Sequence, residues 1–182
     1  MKKIDYILRD WRLKKISPFI QQDSSVLDIG CYDGRLFEIY SDKISFGLGI
    51  DQILPDIKSN EKYSFIKGNF PEDLPSDKKF DVITLIALIE HIPQNILDVF
   101  PEKLSAHLNP EGVVIITAPS PKVDVILDIL ANLKLISGMS LEEHYGFDPR
   151  DVPGLFCKEY FEMLNFSKFQ FGLNNLFVFK KK

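Results

Sequence analysis

The chain has 182 residues, 45% apolar and 26% charged, the make-up of one globular domain with a sizeable core. A net charge of −4 leaves no electrostatic footprint for a phosphate backbone and argues against nucleic acid as a partner. Cys31 and Cys157 form neither a metal-ligand spacing nor a disulfide framework, no stretch approaches the roughly 20 apolar residues of a membrane span, and Met1-Lys2-Lys3-Ile4-Asp5 contains no signal core; cytoplasm is the default.

From Ile4 the apolar residues Ile4, Ile7, Leu8 and Trp11 recur at i, i+3, i+4 and i+7, one face of a helix that is ended or kinked at Pro18. Residues 1–22 form this leading helix. After the turn Asp23-Ser24-Ser25 comes Val26-Leu27-Asp28-Ile29-Gly30-Cys31-Tyr32-Asp33-Gly34-Arg35-Leu36-Phe37, which reads as strand, tight glycine loop and helix. Gly30 and Gly34 stand where side chains would keep a ligand from the backbone, and the N–H groups opening the helix are expected to face that ligand. Tyr32 fits there with a negative φ and its ring turned away from the ligand. Cys31 serves as a small residue, since no histidine neighbours it in sequence.

The second strand, Ile44 to Ile50, ends on Asp51, followed by Gln52. Asp51 stands 23 residues beyond Asp28. A carboxylate at that distance from a glycine loop is placed to accept both hydroxyls of a ribose. A third strand, Tyr63 to Lys67, leads into Gly68-Asn69-Phe70-Pro71-Glu72-Asp73-Leu74-Pro75. Phe80-Asp81-Val82-Ile83-Thr84-Leu85-Ile86 contains a buried parallel strand, and Glu90-His91 follows it. Helical spacing spans Gln94 to Leu108, interrupted at Pro101, with His107 read as a solvated helix residue. Asn109-Pro110-Glu111-Gly112 turns into a fifth strand, Val113 to Pro119.

These segments, in this order, resemble the class I S-adenosylmethionine-dependent methyltransferases. Asp28 to Gly34 is similar to their first motif, with Tyr32 at the place of the middle glycine; Gly68-Asn69 is similar to the third, with Asn69 in place of aspartate. Glu90-His91 resembles the fourth motif of the small-molecule type, and Asn109 to Pro119 resembles the fifth, with Glu111 replacing a glycine. The resemblance covers residues 23–119, the cofactor-binding core. It implies an α/β, Rossmann-like three-layer sandwich with a seven-stranded, mostly parallel sheet and a C-terminal antiparallel hairpin. It also implies S-adenosylmethionine as cofactor, leaving as S-adenosylhomocysteine. By that resemblance Asp28, Gly30, Cys31, Tyr32, Gly34, Asp51, Gln52, Asn69, Phe70 and Ile86 are the candidate cofactor residues. Asn69 would accept from the adenine amine, and Phe70 either lies against the adenine or anchors its loop in the core.

Residues 120–182 carry the acceptor side. Val123, Ile126, Leu127, Leu130 and Leu133 predict an amphipathic helix, and Glu142-Glu143-His144-Tyr145 lies in the linker after it. Asp148-Pro149 reads as a helix start, and Phe166 to Phe171 with Leu176 to Phe179 as a hairpin turning at Gly172 to Asn175. His91 and His144 are the candidate bases, His91 with a bracing role as its alternative. No metal site is expected. The sequence lacks an Asn-Pro-Pro-Tyr tetrapeptide and a Pro-Cys pair, which favours a small-molecule acceptor, with oxygen as the acceptor atom. Two rival readings share the same residues: an adenosyl-binding module or partner subunit without catalysis, and a nicotinamide-dependent oxidoreductase. The latter wants Gly-x-Gly-x-x-Gly, which Gly30 to Gly34 does not supply. Oligomeric state is unread.

Overall fold

The computed structural model describes residues 3–120 and 147–182. The leading segment forms α1 (Lys3–Ile16) and a 3-10 turn at Ser17–Phe19 that contains Pro18. Then follow β1 (Ser24–Ile29), α2 (Arg35–Tyr40), β2 (Ile44–Asp51), β3 (Tyr63–Lys67) and β4 (Phe80–Ile86). A 3-10 turn at Ile89–His91 leads to α3 (Gln94–Leu97), α4 (Phe100–Ala106) and β5 (Leu108–Pro119). The helix predicted across Pro101 is thus two short helices, since Pro101 sits in the first turn of α4, where a missing N–H costs nothing. After the second described stretch begins come α5 (Val152–Phe156), β6 (Phe161–Phe169) and β7 (Asn174–Lys181).

The sheet has seven strands in the order β3-β2-β1-β4-β5-β7-β6. Strands β1 to β5 run parallel, and β7 enters antiparallel between β5 and β6. The order reverses between β1 and β4, whose C-terminal ends therefore open a crevice, the usual ligand site of such sheets. Alternation along the strands divides the core into two layers. Leu27, Ile29, Ile83 and Leu85 face Phe100, Leu104 and Phe156 on one side. Val26, Val82 and Ile115 face Leu13, Ile16, Leu36 and Phe37 on the other.

The inward face of α1 is not the apolar stripe: Ile7 is 64% and Trp11 40% exposed, whereas Leu13 and Ile16 are buried. Several local expectations are corrected. Asp148 opens no helix, because its carboxylate is taken by the backbone N–H and guanidinium of Arg150; Asp151 precedes α5 instead. His107 is buried rather than solvated, its Nδ1 2.9 Å from the Lys78 carbonyl oxygen. β6 begins at Phe161, five residues before the predicted start, and ends before a turn at Gln170–Gly172. Phe161 is wholly buried at its first position, which draws the strand back to it. A register shift between Met163 and Asn165 bends this edge strand, a device that disfavours pairing with other chains. No helix among the described residues is long and apolar enough to cross a membrane.

Candidate functional site

The loops after β1 and β4 meet at the crevice. Gly30 (φ 77°) and Gly34 (φ 71°) adopt the left-handed conformation that favours glycine. A side chain at Gly30 would meet Leu88 beyond β4, with the nearest carbon at 2.9 Å, so the two loops are in contact there. Tyr32 also has a positive φ, 44°, contrary to the negative value expected from sequence. Its backbone is held in this conformation by Asp51, whose Oδ2 accepts the Tyr32 N–H at 2.8 Å. The ring is half exposed. Ala87, just after β4, is left-handed too (φ 53°), so both loops bordering the crevice bend at a residue other than glycine. Replacing Tyr32 with glycine removes the Cβ penalty of that conformation. Tyr32→Gly is expected to raise stability by about 1 kcal/mol in urea denaturation, and a loss of that size would contradict the account of the loop.

Asp51 ends β2 and ties two loops. Its Oδ2 holds Tyr32, and its Oδ1 accepts the Ile53 N–H at 2.8 Å. Each carboxylate oxygen has a further lone pair, so the group suits a pair of vicinal hydroxyls. Gln52 beside it is exposed. Asp51 also accepts through its backbone carbonyl from the Gly68 N–H at 3.0 Å, which brings in the loop after β3. There the Asn69 N–H donates to Asp73 Oδ2 at 2.8 Å, and Asn69 is exposed. The Phe70 ring packs edge-on against Phe100 at 5.3 Å and His107 at 5.6 Å, the anchoring arrangement of the two considered from sequence.

Asp28 lies opposite Thr84 in the β1–β4 ladder, and the Thr84 hydroxyl donates to its Oδ1 at 2.6 Å. Its carboxyl is buried. Desolvation pushes its pKa up to about 7 against the opposing Thr84 hydrogen bond, and the charges of Asp51 and Asp33 push the same way. Cys31 is buried, and a side chain at Gly49 would strike its Sγ at 2.6 Å. Burial, then the charges of Asp28 and Asp51, raise its thiol pKa, so it stays protonated and acts as packing. Ile86 is half-buried and pairs with Thr117 in the β4–β5 ladder.

Glu90 and His91 close the turn after β4. Glu90 is only 2% exposed. Desolvation raises its pKa to about 7, with a backbone hydrogen bond and the Arg12 guanidinium opposing. His91 is half-buried. His144 and the helix predicted at Val123 to Leu133 lie outside the described residues. Among the described residues no group of three or more histidine, cysteine, aspartate and glutamate side chains is placed to hold a metal ion.

Sequence reasoning missed two residues that shape the site. Asp33 Oδ1 accepts the Arg35 N–H that opens α2 at 3.3 Å, so this helix N–H is already engaged, and its Oδ2 accepts from Arg9 of α1 at 2.6 Å. An acid just before a helix was the available signal. The second is Arg12 of α1, whose charge opposes the upward shift of the Glu90 pKa, and no local pattern announces it.

Comparison with known proteins now places the chain. A family model described as a methyltransferase domain matches residues 2–157. No curated protein matches the sequence. Among solved structures, PH0226 from Pyrococcus horikoshii OT3 is 19% identical with a TM-score of 0.73, covering 97% of this chain and 92% of its own. A SAM-dependent methyltransferase from Methanosarcina mazei is 18% identical with a TM-score of 0.66, over 92% of this chain and 96% of its own. The N-methyltransferase NodS from Bradyrhizobium japonicum WM9, in complex with S-adenosyl-L-homocysteine, is 14% identical with a TM-score of 0.68, over 95% and 85%. At these identities the likeness is one of fold. The chain belongs to the methyltransferase-domain family. Its sheet order and crevice are those of the fold it shares with these S-adenosylmethionine-dependent enzymes.

Proposed function

We propose that the protein methylates a small molecule at oxygen, with His91 as the base that takes the acceptor's proton. The observation that carries this reading is the place of His91, in the turn immediately after β4, at the crevice where the order of strands reverses. Asp51 would hold the ribose, Asp28 and the Gly30–Gly34 loop the rest of the adenosyl group's surroundings, and Asn69 the adenine. Asp51 fits this task because both of its oxygens are fixed by backbone donors at 2.8 Å. The cofactor supplies an activated methyl group on a sulfonium, so the chain needs no covalent nucleophile of its own. Its side chains have to align the acceptor, exclude water and accept a proton from a hydroxyl. His144 is the second candidate base. The reading takes the enzyme as cytoplasmic, in keeping with Cys31 and Cys157 both being free thiols.

The test is turnover with labelled S-adenosylmethionine on a panel of phenols, carboxylic acids and amines. Methylated hydroxyl or carboxyl products are expected. His91→Ala should lower kcat by about 10²–10⁴-fold on a hydroxyl acceptor, with cofactor affinity little changed. Turnover confined to amines, or wild-type rates in His91→Ala, would contradict the proposal.

A further inference from the structure

The two halves of α1 are held by different forces. Leu13 and Ile16 are buried against the face of the sheet, among Val26, Leu36 and Ile115. None of residues 5–10 belongs to either apolar layer, and Tyr6 and Ile7 are exposed. Polar ties hold this N-terminal half instead. Arg9 Nη1 donates to Asp33 Oδ2 at 2.6 Å, in the loop after β1. In the reverse sense Asp10 accepts from the guanidinium of Arg35, which opens α2, with Nη2 to Oδ2 at 3.1 Å and Nε to Oδ1 at 3.4 Å. On the other flank the Leu8 carbonyl accepts from Gln170 Nε2 at 2.8 Å, in the turn before β7. Asn174 Nδ2 in turn donates to Gln170 Oε1 at 2.6 Å.

These attachments fix where the helix lies. β1 and β7 are not neighbours; the sheet runs β1-β4-β5-β7, a width of about 14 Å between them. The turn before β7 stands at the edge where β5 ends, since Asn174 pairs with Pro119 and the Leu173 carbonyl accepts the Ser120 N–H at 2.8 Å. A segment tied both to the loop after β1 and to the turn before β7 crosses the C-terminal ends of β4 and β5. That is the mouth of the crevice, beside the turn that carries His91.

The flanks differ in how they meet water. Gln170 and Asn174 are buried. The ion pairs are partly open: their side chains are 17% and 33% exposed in the Arg9–Asp33 pair, 37% and 39% in the Arg35–Asp10 pair. Pairs so exposed are weak singly and are screened by salt. With no core residue behind it, this half is free to lift from the glycine loop while Leu13 and Ile16 stay in place.

We propose that the N-terminal half of α1 is a strap across the crevice, and that cofactor enters and leaves when Arg9 parts from Asp33 and Asp10 from Arg35. The proposal rests on the cofactor's occupying the crevice. Arg9 and Asp10 are positioning residues, assigned no contact with cofactor or acceptor. A weaker strap opens more often whether the crevice is full or empty, so it speeds passage in both directions and leaves affinity nearly unchanged. A residue that shapes the bound state would instead change affinity.

The experiment measures dissociation of labelled S-adenosylhomocysteine by chase with unlabelled ligand, and its affinity by calorimetry; association follows as their quotient. Arg9→Met and Asp10→Asn should each speed dissociation about fivefold, and the double variant at least tenfold, with affinity held within threefold. Arg9→Lys, which keeps the charge, should lie closer to wild type than to Arg9→Met. S-adenosylhomocysteine carries one ammonium, one carboxylate and no net charge, so salt acts on the strap rather than on attraction of the ligand. Raising NaCl from about 50 to about 500 mM should speed wild-type dissociation at least threefold and leave the double variant within twofold. Dissociation indifferent to both salt and substitution, or speeding only as affinity falls in proportion, would overturn the proposal. The salt series on wild-type protein decides even where a variant does not fold. Wild-type protein that binds no S-adenosylhomocysteine overturns the cofactor site and the strap with it. A ligand that binds and exchanges at one rate throughout overturns the strap alone.

Discussion

Asp51→Ala is expected to weaken S-adenosylmethionine and S-adenosylhomocysteine binding at least 100-fold. Two losses add. The first is the pair of acceptors that the ribose hydroxyls would use; a charged group's hydrogen bonds contribute about 1.5–3 kcal/mol each. The second is the shape of the glycine loop. Asp51 holds the Tyr32 and Ile53 N–H groups, each at 2.8 Å, and Tyr32 sits in a left-handed conformation that the residue would not choose unaided. Asp51→Asn separates the two losses. One oxygen remains to accept, so part of the loop restraint survives while the charge is gone. Calorimetric titration of the three proteins should therefore rank wild type, Asp51→Asn and Asp51→Ala in falling order of affinity. Equal affinity in wild type and Asp51→Ala would remove Asp51 from the site.

The second large effect is on stability as a function of pH. Asp28 and Glu90 are buried carboxyls whose pKa values rise to about 7 from ordinary values of 3.8 and 4.5. A carboxyl raised in this way keeps its proton in the folded protein while the unfolded chain has lost it. Its contribution is fully present below about pH 4 and is lost as the pH climbs through 7. For Asp28 alone the span is on the order of 4 kcal/mol. Asp10 and Asp81 work in the opposite direction. Arg35 beside Asp10, and at Asp81 the Ser25 and Asn109 donors that together outweigh its desolvation, hold those carboxyls below 3.8, so their contribution disappears only in stronger acid. The protein should be more stable to urea at pH 5 than at pH 8, and Asp28→Asn should flatten much of that slope. A stability that is level or rising from pH 5 to pH 8 would contradict the burial of both groups.

The parts of the fold that the sequence announces are those with local causes. Buried parallel strands are continuous apolar runs, so β4 and the body of β5 are readable, and β2 is marked by its glycine-bearing run and the acid that closes it. The loop from Gly30 to Gly34 is readable because two left-handed positions need glycine. What remained hidden depends on partners far along the chain. The inner face of α1 was hidden because hydrophobic periodicity cannot show that Arg9 turns toward Asp33. Tyr32 was assigned the wrong sign of φ because Asp51, 19 residues away, sets it. His107 looked solvated on its helix, yet the Lys78 carbonyl and Phe70 enclose it. The candidate cofactor residues were legible as a set of positions in motif order, whereas the ion pairs of Arg9 with Asp33 and of Asp10 with Arg35 that fasten α1 were not.

The most direct measurement is equilibrium titration of the wild-type protein with S-adenosylhomocysteine, alongside NADH. The account predicts one-to-one binding of S-adenosylhomocysteine in the micromolar range and no binding of NADH. A well-folded protein that ignores S-adenosylhomocysteine, or that binds NADH in its place, would contradict it.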